Sequence, residues 1–338
     1  MKNIRLGIIG AGFWAKYQIA GWKELGVSPV AIFNRTKSKA QALASQFNIP
    51  HVYEDVNTLL EKEKLDAVDI ITSPDSHEEI VTAVVNHKVP IICQKPMAPN
   101  FETAEKMVNV CKKIDVPFMI HENWRWQTPI RALKNEIDND KIGKIFRSRI
   151  IYCNSFPVFK NQPFLKELRQ FILTDMGTHI LDVARYLFGE AESVYCQTAS
   201  VNKGIKGEDI ATVSLKMKKD LQCSVELSYA SILDDEKFPQ TYILVEGEKG
   251  SIKLGQDYWI KTTTKNGTES KQFPPPLYDW VDPKYAIVQS SIVEANKNFL
   301  QFLREESAVE TTGEDNLKTP RLVYTSYESA EKNAVISI

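Results

Sequence analysis

Cysteine is scarce and never paired. Cys93, Cys111, Cys153, Cys196 and Cys223 are the five in 338 residues, and no Cys-x-x-Cys occurs. That excludes a disulfide framework and the common zinc-ribbon and dithiol redox motifs, so the thiols read as reduced residues of a cytosolic protein. An excess of either charge is also missing. Lys+Arg of 42 against Asp+Glu of 43 leaves a formal charge of -1, and nothing in that balance asks for nucleic acid or an anionic membrane as partner. No apolar run reaches the roughly 20 residues of a membrane helix. The apolar patch after Arg5 is short and interrupted by Gly7, Gly10 and Gly12, which suits a first strand better than a secretory signal. There is no internal repeat. Pro274-Pro275-Pro276 marks an extended loop, and Asn266-Gly267 reads as a hairpin turn after Trp259–Thr264 rather than as a glycosylation acceptor.

What is present is enough apolar material for two cores: 43% of the residues are hydrophobic, in a chain longer than one core usually serves. The most informative stretch comes first. Leu6, Ile8 and Ile9 form a short buried-strand pattern that runs into Gly10-Ala11-Gly12-Phe13-Trp14-Ala15, after which helical spacing begins. In a strand, Gly-x-Gly-x-x-Ala turn and helix, Gly10 permits the tight turn, Gly12 lets a pyrophosphate approach the backbone, and Ala15 lets helix and strand pack closely. Helix-start amides then face the phosphates. Phe13 and Trp14 belong to the same cofactor-binding turn.

Strand and helix patterns alternate from there to His121, which predicts a doubly wound parallel sheet. The second strand ends in Asn34-Arg35, about 20 residues after the turn, where an acid ordinarily accepts the adenosine ribose hydroxyls. Here there is none. Asn34 can bond a hydroxyl and Arg35 can pair with a 2'-phosphate, so the expected cofactor is NAD(P), leaning towards NADP. Ligands of such sheets sit at the carboxyl ends of the strands, where Thr72, His77, Gln94 and Lys95 fall. Taken alone, His77 reads as a helix-start residue and Lys95 as a solvated loop lysine.

From about residue 123 the pattern changes to strands, among them Phe146–Cys153, Ser193–Ser200, Asp209–Met217, Leu221–Tyr229 and Tyr242–Glu246, several of which follow one another with no intervening helix. The fold class is therefore α/β: an N-terminal Rossmann domain over residues 1–122 and a C-terminal α+β domain over 123–338, built on a mainly antiparallel open sheet. Helices are expected over Pro129–Asn139, Phe171–Phe188, Ile292–Glu305 and Thr319–Lys332. Asp175 and His179, four apart, share one helix face, and Asp182 is placed to approach His179 from the other side. A carboxylate beside an imidazole fixes its tautomer and favours its charged form, the arrangement of a tuned general base; a surface ion pair has the same spacing. In His121-Glu122-Asn123-Trp124-Arg125-Trp126-Gln127, Asn123 and Arg125 are candidates for substrate contact, and the indoles suit either sugar faces or domain packing.

Gly10-Ala11-Gly12-Phe13-Trp14-Ala15, Cys93-Gln94-Lys95-Pro96 and Asp175-Met176-Gly177-Thr178-His179-Ile180-Leu181-Asp182 together resemble, in order and spacing, the glucose-fructose oxidoreductase, inositol dehydrogenase and rhizopine catabolism family of NAD(P)-dependent sugar and cyclitol dehydrogenases. The resemblance spans nearly the whole chain. It implies a substrate cleft between two domains, Lys95 as the active-site lysine, Asp175 as the substrate-binding carboxylate and His179 as the proton acceptor, with no metal. Gln94 replaces the family's usual glutamate, which removes a charge that would favour protonated lysine. The motif Gln-Lys-Pro-Met-Ala-Pro with Glu-Asn-Trp-Arg-Trp-Gln looks like aldose dehydrogenases, for a pentose such as apiose. The resemblance also implies a homodimer or homotetramer. Two alternatives stay open: a glycoside-cleaving enzyme that oxidises its substrate transiently on retained NAD, and a non-catalytic NADP sensor.

Overall fold

Six short apolar segments with no polar alternation need cover on both faces, and they obtain it. The computed structural model describes residues 3–234 and 236–338. Strands β1 (Leu6–Ile9), β2 (Ala31–Phe33), β3 (His51–Tyr53), β4 (Ala67–Ile70), β5 (Ile91–Gln94) and β6 (Phe118–His121) form a parallel sheet in the order β3-β2-β1-β4-β5-β6. One face packs Ile9, Val68, Ile70, Ile91 and Ile120 under Val81, Val84 and Met107. The other packs Leu6, Ile8, Ile32 and Ile92 under Ile19, Trp22, Phe299 and Leu300.

The chain divides into two compact units. One comprises the residues up to Asn123 with Ile292–Lys318, the other Trp124–Ser291 with Thr319–Ile338. The returning segment completes the first unit by direct packing. A Cβ on Gly21 would lie 2.9 Å from Ile292, the Trp22 and Phe299 rings are 6.4 Å apart, and the Thr311 hydroxyl donates to the Ile120 carbonyl at 2.7 Å. Its helix, Ala286–Leu303, begins six residues before the sequence expectation. The cause is a cap the apolar periodicity did not register: Asp282 accepts from the Lys284 amide and Pro283 opens the turn Pro283–Tyr285.

The second unit holds nine strands: β7 (Ile145–Cys153), β8 (Ala191–Ala199), β9 (Ile210–Met217), β10 (Gln222–Ser228), β11 (Tyr242–Gly247), β12 (Gly250–Leu254), β13 (Trp259–Thr264), β14 (Gly267–Gln272) and β15 (Ile336–Ser337). Their order is β14-β13-β12-β11-β7-β10-β9-β8-β15, antiparallel except for β7 beside β10. Alternation sets the two faces. Val213, Leu215, Val225, Leu227, Ile243 and Val245 are buried, whereas Arg147 pairs with Glu246 and Arg149 with Glu226 on the open side. The β13–β14 hairpin forms as expected, but Thr264 pairs with Gly267, so the turn residues are Lys265 and Asn266 and the glycine begins the strand. No helix among the described residues is long and apolar enough to cross a membrane.

Candidate active site

The first unit supplies a cradle at the carboxyl ends of β1, β4 and β5. Gly10 has φ +116°, and a Cβ there would sit 2.7 Å from the Ile71 carbonyl carbon and oxygen; at Gly12 the same atom would meet nothing nearer than 3.6 Å. The first position therefore excludes a side chain on both conformation and space, and the second leaves the backbone approachable. Ala15 is fully buried and opens the helix Ala15–Glu24, while Phe13 stands 59% exposed on the turn with its ring 5.3 Å from Trp14. Asn34 ties the turn to the second strand: its Oδ1 accepts from the Ala11 amide at 3.0 Å and its Nδ2 donates to the Thr36 carbonyl at 2.9 Å. Arg35 beside it is exposed.

Two further polar atoms carry the argument towards a ligand. Thr72 Oγ1 and Gln94 Nε2 are buried and have no hydrogen-bond partner among the described residues. Unpartnered buried groups are costly, and at a strand terminus beside a glycine cradle they fit a dinucleotide that would bond them. His77 takes another part. It is fully buried, with Nδ1 3.0 Å from the Met97 carbonyl and Nε2 3.2 Å from the Thr72 carbonyl. Burial holds its pKa below the usual value against the pull of those carbonyls. Its two ring nitrogens thus link the loop after β4 to the loop after β5. Lys95 is half-buried directly after β5, where its peptide to Pro96 is cis.

Deeper in this unit lies a carboxyl that sequence reading passed over. Asp69, inside β4, is fully buried; Oδ2 accepts from Trp22 Nε1 at 2.8 Å and Oδ1 has no hydrogen-bond partner among the described residues. Burial pushes its pKa up to about 7, against the lowering effect of the indole bond.

The second unit carries Asp175 and His179, and here the expected single helix is corrected. Leu173–Gly177 is a π-helical turn and Thr178–Phe188 is α-helical. Wider turns of this kind are frequent at functional sites because they re-aim side chains. The sequence lets it form: Thr174 Oγ1 donates to the Gln170 carbonyl at 2.7 Å and Thr178 Oγ1 to the Asp175 carbonyl at 3.0 Å. At Gly177 a Cβ would press on Leu173 at 3.2 Å. Glu208 anchors the entry, accepting from the amides of Phe171 and Leu173 and from Tyr327 Oη at 2.6 Å.

Around this turn the side chains form an aromatic wall. Tyr229 Oη donates to Asp175 Oδ2 at 3.4 Å, the Tyr152 and Tyr229 rings meet edge to face at 6.1 Å, Tyr152 meets Trp124 at 6.2 Å, and Trp124 stacks on His179 with centroids 4.2 Å apart. Burial beside Asp175 raises the pKa of both tyrosines, so both stay neutral hydrogen-bonding groups. Tyr152, Tyr229 and the partner of Trp124 Nε1, Thr241 at 3.2 Å, were missed from sequence. Tyr229 was detectable in principle: Cys223, Val225, Leu227 and Tyr229 share the inward parity of β10, which places a hydroxyl at the end of an apolar row.

Asp182, expected near His179 from its spacing, is tied to other elements of the second unit. Its carboxylate takes the Arg125 fork at 2.7 and 2.6 Å, with Thr319 at 3.1 Å and Arg185 at 3.5 Å. The pair is buried, and removing either partner of such a bidentate pair leaves an uncompensated charge. Arg125, a candidate for substrate contact, thus has two of its nitrogens committed within the unit. Asn123, two residues earlier in the chain, is 7% exposed.

Comparison with known proteins places this geometry among relatives. Residues 4–122 match a family model described as an oxidoreductase family with an NAD-binding Rossmann fold, and residues 130–253 match the GFO/IDH/MocA C-terminal domain. The chain is 37% identical to a D-apiose dehydrogenase of Rhizobium rhizogenes, covering 100% of this chain and 98% of that protein. It is 35% identical to a D-apiose dehydrogenase of Paraburkholderia graminis, covering 100% and 90%. Among solved structures, an oxidoreductase from Agrobacterium radiobacter in complex with NAD+, L-tartaric acid and magnesium superposes with a TM-score of 0.96 at 37% identity, over 99% of this chain and 98% of that one.

Proposed function

The chain belongs to the GFO/IDH/MocA family of NAD-binding Rossmann-fold oxidoreductases, and we propose that it is a dehydrogenase that oxidises a carbinol carbon of an aldose, such as the pentose apiose, to the lactone. The observation that carries the substrate is the full-length likeness to two D-apiose dehydrogenases. The cofactor reading is supported by the Gly10 cradle and the unpartnered Thr72 Oγ1 and Gln94 Nε2. Residues 1–122, completed by the returning segment 292–318, are assigned to the dinucleotide, and the rest of 123–338 to the sugar and to self-association as a homodimer or homotetramer.

When bound, the nicotinamide ring supplies the acceptor for the hydride that leaves the sugar carbon. The protein does the rest. The turn from Gly10 to Gly12 and the amides of Phe13 and Trp14 would hold the diphosphate, with Ala15 packing the helix close behind them. His179 accepts the proton of the reacting hydroxyl as the carbon–oxygen bond gains double-bond character. Lys95 donates a hydrogen bond to a substrate oxygen and steadies developing negative charge. Asp175, held by Tyr229, orients a neighbouring hydroxyl. The finer cofactor choice is NADP, which Arg35 favours by offering its guanidinium to a 2'-phosphate and which the missing acid at Asn34 permits.

The test is growth of reduced-nicotinamide absorbance when the purified protein meets NAD or NADP with a panel of aldoses, cyclitols and glycosides. Signal with apiose or a related aldose is expected. Release of an aglycone without net reduced cofactor would replace this reading with transient-redox glycoside cleavage.

A further inference from the structure

We infer that Trp124 is a positioning residue for His179, its indole face fixing the plane of the imidazole that would accept the substrate proton. This rests on His179 being the proton acceptor and adds the device that holds it ready. Three observations support it, all inside the second unit. The rings are 4.2 Å apart at 25°, close and parallel enough that rotation of the imidazole about its Cβ–Cγ bond would break the stack. The indole is itself fixed, with Nε1 donating to Thr241 Oγ1 and the ring edge against Tyr152. Both rings are nearly sealed, Trp124 at 5% and His179 at 4% exposure, so water does not screen their interaction.

The chemical consequence depends on charge. A neutral imidazole gains only stacking from the indole, whereas an imidazolium lies over the electron-rich face of the best of the aromatic partners for a cation. Proton acceptance by His179 is therefore favoured by its neighbour. The other charged and titratable groups around the pair are Asp175 and Asp182 on its own segment, Tyr152 and Tyr229 from the sheet, and Arg125 and Arg185, which Asp182 holds. Trp124 is the member that touches the ring face.

The experiment uses the full chain labelled with 13C and 15N at histidine and follows the His179 ring resonances against pH by NMR, assigned with His179→Asn, for wild type, Trp124→Phe, Trp124→Leu and Thr241→Val. Steady-state pH profiles with NAD and D-apiose run in parallel. Trp124→Leu is expected to move the His179 midpoint to lower pH by about half a unit, to shift the acid limb of kcat with it, and to lower kcat about tenfold while KM changes little. Trp124→Phe, which keeps an aromatic face, should restore most of both; Thr241→Val, which only unanchors the indole, should show a smaller shift in the same direction. Wild-type titration in both Trp124→Leu and Thr241→Val would overturn the proposal and leave Trp124 a packing residue. Where Trp124→Leu fails to fold, the Thr241→Val titration decides. The NMR arm needs no turnover, so a chain inactive on every sugar would count against the dehydrogenase reading and leave the ring-positioning result standing.

Discussion

The two units solve recognition with opposite materials. In the first, the candidate cofactor site is mostly backbone: a glycine that cannot carry a side chain, a helix start, and two side-chain atoms, Thr72 Oγ1 and Gln94 Nε2, left without protein partners. In the second, Asp175 and His179 are set in a wall of Tyr229, Tyr152 and Trp124 before any substrate arrives. A phosphate needs donors and room, which main chain gives by itself. A hydroxyl that must lose a proton needs one basic group aimed within a few tenths of an ångström, and that takes side chains locked by other side chains.

The comparison breaks most visibly at His179. His179→Ala should lower kcat by about 10^2- to 10^4-fold, the range for a removed general base, while dinucleotide affinity, followed by fluorescence titration, stays within about twofold. Loss of cofactor affinity to the same degree would mean that the second unit shapes the first unit's site.

Asp69 gives the next largest effect and concerns the first unit alone. Its carboxyl pKa rises on folding from 3.8 to about 7, so the folded chain retains a proton that the unfolded chain releases. Stability from this group is full below about pH 4, falls as pH rises from about 4 to about 7, and is then flat, a loss on the order of 4 kcal/mol if the whole shift is expressed. Asp69→Asn can still accept from Trp22 Nε1 and should flatten that slope in denaturant titrations between pH 5 and 8. An identical slope in wild type and variant would show that Asp69 does not carry it.

Gly10→Ala should weaken dinucleotide binding by roughly ten- to a hundredfold, because the new Cβ meets the Ile71 backbone and the φ of +116° is one that alanine resists. Gly12→Ala, whose Cβ has space in the protein, should hurt binding without a matching loss of folding stability. Equal stability losses in both would deny the second glycine its role as a close-approach position.

Much of this contrast was legible before any coordinates. The parallel sheet was readable because most of its strands are short apolar runs closed by turns and separated by helical patterns, and the glycine turn because its steric demands are local. Asp175 and His179 could be found by spacing, but their setting could not: the π-helical turn Leu173–Gly177 leaves no mark on the apolar pattern, and the Glu208 carboxylate that holds the Leu173 amide lies 35 residues away in the chain. The Asp182–Arg125 pair joins residues 57 apart in the chain, and the Trp124–Thr241 bond joins residues 117 apart. Periodicity carries no information at that range. The completion of the first unit by Ile292–Lys318 is another non-local event, since an apolar helix face does not state which sheet it will cover.

The smallest expected effect tests whether a side chain of the first unit tells the two nicotinamide cofactors apart. Arg35 is exposed just after β2, and an exposed guanidinium contributes modestly to a phosphate contact because water and salt screen it. Arg35→Asp should therefore lower the ratio of kcat/KM for NADP to that for NAD by about tenfold, the aspartate repelling a 2'-phosphate and accepting from a free ribose hydroxyl. The shift should shrink as salt is raised. Asn34 would keep its bonds to Ala11 and Thr36 in wild type and variant alike. An unchanged ratio would remove the side-chain argument for NADP and leave cofactor choice to the backbone cradle, making the first unit's recognition still more unlike that of the second.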